Sequence, residues 1–171
     1  MKAILASTPK GGIGYKNSLP WPRLQGDLAR FKALTLEQYV IMGRNTWDSL
    51  PKKPLPDRES IVVTSRPLFQ PSDPYDLNAV HRQELLFNLF HNRCLAIKSI
   101  EPFVDYDNAW IIGGAQLLNS SWPWIKEFHL SRTHKEYECD TFIDLNYIEQ
   151  NFVQISKEVC ADHDYEIWQR K

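Results

Sequence analysis

Short apolar runs recur along the chain, each bounded by polar, Gly or Pro residues: Ala3–Ser7, Tyr39–Met42, Ile61–Val63, Leu95–Ile97 and Trp110–Ile112. Runs of this length without polar alternation predict strands buried on both faces, as in a parallel sheet. Later the pattern changes. Glu127–Thr133, Phe152–Val159 and Tyr165–Gln169 are longer and more polar and read as antiparallel strands, with a turn at Ala161–Asp164 joining the last two. Helical patterns lie between the runs. Asp27–Leu34 is the clearest, Thr46–Leu50 stops at Pro51, and Ala115–Ser121 stops before Pro123. The stretch 67–92 opens Pro-rich, as a loop would, and Gln83–Phe90 carries one amphipathic helical pattern. This alternation predicts an α/β domain with a mostly parallel sheet, in which ligands sit beyond the carboxyl ends of the strands.

Composition narrows the picture. A chain of 171 residues that is 43% apolar is sized for one compact domain, and two would be cramped. A net charge of −1 implies no basic face and hence no nucleic-acid partner, so an anionic ligand would need a few local Arg or Lys residues. No run approaches the ~18 apolar residues of a membrane span, and the apolar start is too short for a signal peptide. Cys94, Cys139 and Cys160 follow no metal-like spacing and read as free thiols in a reducing, cytoplasmic compartment. His81, His91, His129, His134 and His163 form no metal-ligand pattern, so no metal site is expected. Trp122 and Trp124 read as packing residues, and Asp105 and Asp107 as solvent-facing.

Several groups of residues carry possible chemistry. On a helix, Phe31 lies about 40° from Asp27 and Leu34 about 20° to the other side, so Asp27 lines up with the apolar stripe and not with Arg30 and Lys32. A carboxylate against apolar walls suits a group that orders a proton donor, although a helix-start aspartate also commonly bonds backbone N–H groups. The segment Gly11–Trp21 holds three glycines and then Leu19-Pro-Trp21, which reads either as a lid over bound ligands or as an ordinary connection. Gly43-Arg44-Asn45-Thr46 and Gly113-Gly114-Ala115-Gln116 each follow a strand and open a helix, where backbone N–H groups and Arg44 favour phosphate. If their strands are neighbours, one extended phosphate ligand could touch both. Arg58 could fork onto a carboxylate, and Thr64-Ser65-Arg66 could hold a phosphate, against the plainer readings of a solvated turn arginine and a polar strand exit.

Together these pieces resemble dihydrofolate reductase: Ile13-Gly14, Leu19-Pro-Trp21, Asp27-Leu-x-x-Phe-Lys32, Val40-Ile-Met-Gly-Arg-Asn-Thr-Trp47, Leu55-Pro-x-Arg58, Ile112-Gly-Gly114 and Asp140-Thr141, in order and at matching spacing outside about 67–93. The resemblance implies one domain over 1–171 with an insertion at 67–93. It implies a twisted, mostly parallel eight-stranded sheet with an antiparallel C-terminal hairpin, flanked by about four helices. It implies a monomer that reduces the small molecule dihydrofolate with NADPH and also binds antifolate inhibitors. Asp27 would bind the pterin ring nitrogen and amino group and promote protonation, Trp21 would hold a water beside it, Leu19 would sit at the reacting centre, and Ser131 would bond the carboxylate. Leu5, Ala6, Leu28, Phe31, Leu50, Lys53 and Ile112 would line the substrate, and Arg58 would grip its glutamate carboxylate. Arg44, Asn45, Thr46, Thr64, Ser65 and Arg66 would hold the NADPH phosphates. Ser7, Ile13, Gly14, Asn17, Ser18, Leu19, Gly43, Ala115, Gln116 and Leu117 would line the cofactor, with Gly113 and Gly114, a pair often joined by a cis peptide in this family.

The chain departs from the family pattern in places. Leu118 stands where an aromatic is common, Ala115 and Gln116 replace a frequent glycine and basic residue, and Cys139 replaces a loop glycine. Asp57 stands where glycine usually precedes Arg58, which bears on the shape of that turn. Two other readings compete. A non-catalytic binding or scaffold protein on this fold would have no reason to keep Asp27, Trp21 and Arg58 together, since each is a poor packing choice. A related pterin or pyrimidine reductase would offer Arg58 no glutamate-like carboxylate.

Overall fold

The computed structural model describes residues 1–65 and 94–171. Arg66, His81, His91, the predicted helix Gln83–Phe90 and the insertion at 67–93 lie outside the described residues. Among the described residues, ten strands and four α-helices follow in chain order: β1 (Lys2–Ser7), β2 (Gly12–Gly14), α1 (Asp27–Thr35), β3 (Tyr39–Gly43), α2 (Arg44–Ser49), β4 (Glu59–Val63), β5 (Cys94–Ile97), β6 (Ala109–Gly113), α3 (Ala115–Ser121), β7 (Glu127–Thr133), β8 (Thr141–Phe142), α4 (Leu145–Asn151), β9 (Phe152–Val159) and β10 (His163–Arg170). Eight of the strands form one sheet in the order β5-β4-β3-β6-β1-β7-β10-β9, and β2 pairs with β8 in a separate ribbon. This is the α/β architecture expected from the sequence.

All five short apolar runs are parallel strands. Their centres are sealed from water, with Ile41, Ile61, Leu95 and Ile111 fully buried, which is why they show no alternation. One expectation needs correcting. β7 is not simply antiparallel: it pairs parallel with β1, residue for residue from Lys2↔Glu127 to Ser7↔Arg132, and antiparallel with β10 on its other side. Its mixed neighbours explain its mixed polarity. The β9–β10 hairpin closes the sheet, and β9 forms an edge whose residues after Phe152 are exposed.

The larger core cluster contains Ile41, Ile61, Leu95, Ile111, Phe128 and Leu130 from the sheet, Leu117 and Leu118 from α3 and Ile148 from α4. A smaller one gathers Val40, Met42, Val62 and Cys94 around Trp47 of α2. Burial without a compensating charge pushes the Cys94 thiol up to about 12, so it stays protonated. Trp122 is buried and stacks on Tyr147 with centroids 5.1 Å apart, as a packing residue should. Trp124 departs from that assignment, standing 44% exposed.

α1 also corrects the helical-wheel reading. Asp27, Arg30, Phe31 and Leu34 are all partly shielded, while Leu28, Ala29, Lys32 and Ala33 are exposed. Arg30 therefore belongs to the inward stripe. Its guanidinium lies 4.0 Å above the Tyr165 ring, a placement open to a long side chain that buries its stem and stacks a delocalised charge.

Candidate active site

The parallel strands bring their carboxyl ends to one edge of the sheet, where Ser7, Gly43, Thr64 and Gly113 lie, while Arg58 precedes β4 at its amino end. Gly26 turns the chain into α1 at φ +83, and an added Cβ would meet nothing within 4 Å. The left-handed backbone, not lack of space, is what favours glycine there. Arg30 N–H then bonds the Gly26 carbonyl at 3.0 Å and starts the helix. The Asp27 carboxylate does not cap this helix. Its Oδ1 accepts a hydrogen bond from Ser131 Oγ, 2.5 Å away, across 104 residues of sequence. Ser131 is 2% exposed and pairs in register with Ala6 of β1. The carboxylate thus points into the sheet. Trp21 is buried nearby in sequence, edge-on to Tyr137 at 6.3 Å, whereas Leu19 and Leu28 stand exposed.

Arg58 lies behind the same helix. It is 5% exposed, too buried for a solvated turn residue, and donates from Nε to the Pro56 carbonyl at 2.9 Å and from Nη1 to Thr35 Oγ1 at 3.3 Å. Its guanidinium carbon lies 5.7 Å from the Phe31 ring centre. Burial lowers its pKa and the neighbouring Asp57 opposes that shift. Asp57 itself takes φ +57, so it adopts the left-handed conformation usually reserved for glycine, and its carbonyl accepts Glu37 N–H at 2.7 Å. The Lys53 ammonium donates to the Trp47 and Asp48 carbonyls at 3.2 and 2.9 Å, at the end of α2. Leu50 and Ile112 pack against the smaller core cluster, and Leu5 against the larger.

The glycine turns meet because β3 and β6 are neighbours, with Met42 opposite Gly113. A Cβ on Gly43 would lie 3.6 Å from the Gly114 nitrogen, so the two backbones face each other with nothing between them. Gly113 and Gly114 are joined by a cis peptide, as the resemblance implied. A Cβ on Gly113, at φ +137, would sit 3.0 Å from Thr46 Oγ1 and 3.7 Å from Leu5 Cδ2. Glycine is needed here because the two backbones pack against each other and Thr46 and Leu5 fill the space a Gly113 side chain would take. Arg44 lies along its own helix, with Nε 2.9 and 3.0 Å from the two Asp48 carboxylate oxygens. Thr64 N–H bonds the Ile97 carbonyl at 2.8 Å, and Ser65 and Asn45 are exposed. At the start of α3, Gln116 is exposed, whereas Leu117 and Leu118 are buried in the main core.

The glycine-rich connection after β1 is an ordered element that sequence periodicity could not show. β2 pairs with β8, Tyr15 and Ser18 exchange backbone hydrogen bonds, and Lys16 and Asn17 between them take φ +48 and +61. Asp140 accepts the Lys16 N–H at 2.7 Å, a bond that holds its pKa below the usual carboxylate range with help from Thr141. Ser7 turns its hydroxyl to the Thr8 carbonyl at 3.0 Å, and Ile13 and Gly14 lie within β2. Cys139 Sγ occupies the space above Gly12, where an added Cβ would come within 2.4 Å of it. The thiol in place of a loop glycine is matched by a glycine opposite it.

Comparison with known proteins agrees with this geometry. The family model described as Dihydrofolate reductase matches residues 1–169. The chain is 36% identical over 171 residues to dihydrofolate reductase type 8 of Escherichia coli, covering 100% of this chain and 96% of that protein. It is 31% identical over 162 residues to dihydrofolate reductase of Bacillus subtilis, covering 90% and 83% respectively. Among solved structures, it is similar to dihydrofolate reductase from Enterococcus faecalis complexed with NADP(H) and RAB-propyl, with a TM-score of 0.75 and 26% identity over 99% of this chain and 95% of that one.

Proposed function

The chain belongs to the dihydrofolate reductase family, and from that premise we propose how its residues divide the work. The reaction is the NADPH-dependent reduction of 7,8-dihydrofolate to 5,6,7,8-tetrahydrofolate, a reduced carrier for one-carbon and thymidylate metabolism. Asp27 holds the pterin ring nitrogen and amino group through its carboxylate and favours protonation of the nitrogen next to the carbon that is reduced. Ser131 fixes the carboxylate, and Trp21 orders a water beside it. Phe31, Leu50, Ile112, Leu5 and Ala6 line the substrate, with Leu28 and Leu19 closing over it from the exposed side. Arg58 grips the glutamate carboxylate with the planar fork of its guanidinium.

We place a flat ring beside Gly43 and Gly114, which are only half-buried at the ends of β3 and β6, and phosphate beside it at Thr46, Asn45 and Arg44, with Gly113 beneath. Thr64 and Ser65 extend that polar line at the end of β4. When bound, NADPH supplies the hydride. The ribbon carrying Ile13, Gly14, Asn17 and Ser18 shields the reacting atoms from water. Ser7, Ala115, Gln116 and Leu117 frame the cofactor from the ends of β1 and α3. Lys53 supports the substrate side through the end of α2. We read the whole chain as one unit with an insertion at 67–93, monomeric, and cytoplasmic because its described cysteines are unpaired thiols. Antifolate inhibitors occupy the substrate position. No helix of the described residues is long and apolar enough to cross a membrane.

The single observation that carries this division is the Ser131–Asp27 hydrogen bond of 2.5 Å, which turns the carboxylate into the sheet. The test follows cofactor absorbance with purified protein, NADPH and dihydrofolate, beside the Asp27→Asn variant. The parent should oxidise NADPH only when dihydrofolate is present. The variant should lose turnover while keeping NADPH affinity, and equal losses in both would refute the role given to Asp27.

A further inference from the structure

The chain on either side of Asp27 is held from one place. Gln25, two residues earlier, donates its backbone N–H to Asp162 Oδ2 at 2.9 Å. Arg30, three residues later, donates to Glu158 Oε2 at 2.7 Å and stacks on the Tyr165 ring. Glu158, Asp162 and Tyr165 all belong to the β9–β10 hairpin or its turn. Asp162 is itself fixed, because its other oxygen lies 2.7 Å from Nδ1 of the fully buried His163 and its carbonyl accepts His134 N–H at 3.0 Å. Tyr165 stands directly opposite Ser131 in register, so both side chains share the face that α1 covers.

Besides the Ser131 bond to Asp27, α1 has little packing to locate its first turn. It runs for nine residues, has no side-chain cap, and buries fully only Thr35, at its far end. Core packing therefore constrains the end of the helix away from Asp27 more than the end that carries it. Charge-assisted hydrogen bonds with defined geometry supply what packing does not. A shift of a few tenths of an ångström at the first turn would displace the carboxylate, and reactions that depend on near-attack geometry are sensitive to such shifts.

We infer that the β9–β10 hairpin sets the position of Asp27 for the reaction, with Asp162 and Glu158 as positioning residues that touch neither ligand. This rests on the proton-delivery role assigned to Asp27. Glu158 is 60% exposed, and exposed ion pairs contribute little to stability, so removing it should disturb geometry more than folding.

The test is a single-turnover measurement of hydride transfer at saturating NADPH and dihydrofolate in Asp162→Ala/Glu158→Ala. Transfer should slow about tenfold, as misplacement without loss of any reacting group predicts. The NADPH dissociation constant should change by less than about twofold, marking a loss confined to the reacting geometry. Asp162→Asn keeps an oxygen to accept the Gln25 N–H and should transfer hydride close to the parental rate. If the double variant fails to fold, Glu158→Ala alone should still slow transfer about threefold, a smaller share of the same misplacement. Parental transfer rates in the folded variants, damage from Asp162→Asn as large as from the double variant, or cofactor affinity falling in step with rate would each overturn the inference. Asp27→Asn measured alongside separates the two levels. Full activity there would refute the reading of Asp27, whereas its collapse beside an unaffected hairpin variant would refute only the hairpin's role.

Discussion

Two regions of the proposed site are built in opposite ways. Around Asp27 the site consists of side chains drawn from distant parts of the chain: Asp27 on α1, Ser131 on β7 and Arg58 ahead of β4, each held by hydrogen bonds to another element or a neighbouring turn. Around Gly43, Gly113 and Gly114 the site is defined by side chains that are missing, so that the ends of β3 and β6 pack backbone to backbone against Thr46. The difference follows the task. Ordering a proton needs a charged atom at one point, which demands several independent constraints. Receiving a flat ring and phosphates needs close approach to backbone, which glycine provides locally. Substitutions on the first side should therefore damage chemistry or substrate recognition selectively, and those among the glycine-rich elements should act through space and stability.

The largest effect is expected at Asp27. Asp27→Asn should lower turnover by about 10²–10⁴-fold, the usual scale for loss of a proton-handling group, with NADPH affinity nearly unchanged. Arg58→Leu comes next. It removes a bidentate donor to a carboxylate, so dihydrofolate binding should weaken about 10–100-fold while the cofactor binds as before. Isothermal titration with each ligand separates the two, and unchanged dihydrofolate affinity would remove Arg58 from the site.

Gly12→Ala tests the glycine-rich elements. The new methyl would collide with Cys139 Sγ at 2.4 Å and Cβ at 2.7 Å, so the variant should lose about 1–3 kcal/mol of stability in urea titration. Cys139→Gly should restore most of that loss in the double variant, since the two residues contest one space. Additive losses would show that the contact is not what couples β2 to its neighbour.

The smallest effect concerns His129, 4% exposed between Glu127 and the Tyr165 hydroxyl. Burial lowers its pKa, with the Glu127 carboxylate opposing. The unfolded chain therefore takes up this proton at a higher pH than the folded one. The contribution is fully present above about pH 6.5, the unperturbed histidine value, and is lost as pH falls toward the folded value. Thermal unfolding midpoints should decline over that interval, and His129→Gln should flatten the decline. An identical slope in the variant would assign it to other groups.

Much of this organisation was legible in the sequence, for identifiable reasons. Strands such as Tyr39–Gly43 and Ala109–Gly113 are buried on both faces and so read as unbroken apolar runs. The phase of Asp27 on its helix pointed it inward. Its partner Ser131 came only through family resemblance, because no local pattern links residues 104 positions apart. The β2–β8 ribbon has strands of three and two residues, too short to show a period. α4 leaves a weak sequence pattern although Asp144 caps it by accepting Tyr147 N–H, since only Leu145 and Ile148 mark an aliphatic side. The charge of Arg30 predicts a solvent-facing residue, and stacking on Tyr165 reverses that.

The central claim is that Asp27 serves protonation, and the most direct measurement is the pH dependence of single-turnover hydride transfer in Asp27→Asn beside the parent. If the carboxylate's task is to favour the protonated ring nitrogen, solvent acid should progressively replace it, and the variant's deficit should shrink as pH falls. A deficit of constant size at every pH would contradict the account and make Asp27 a binding residue only.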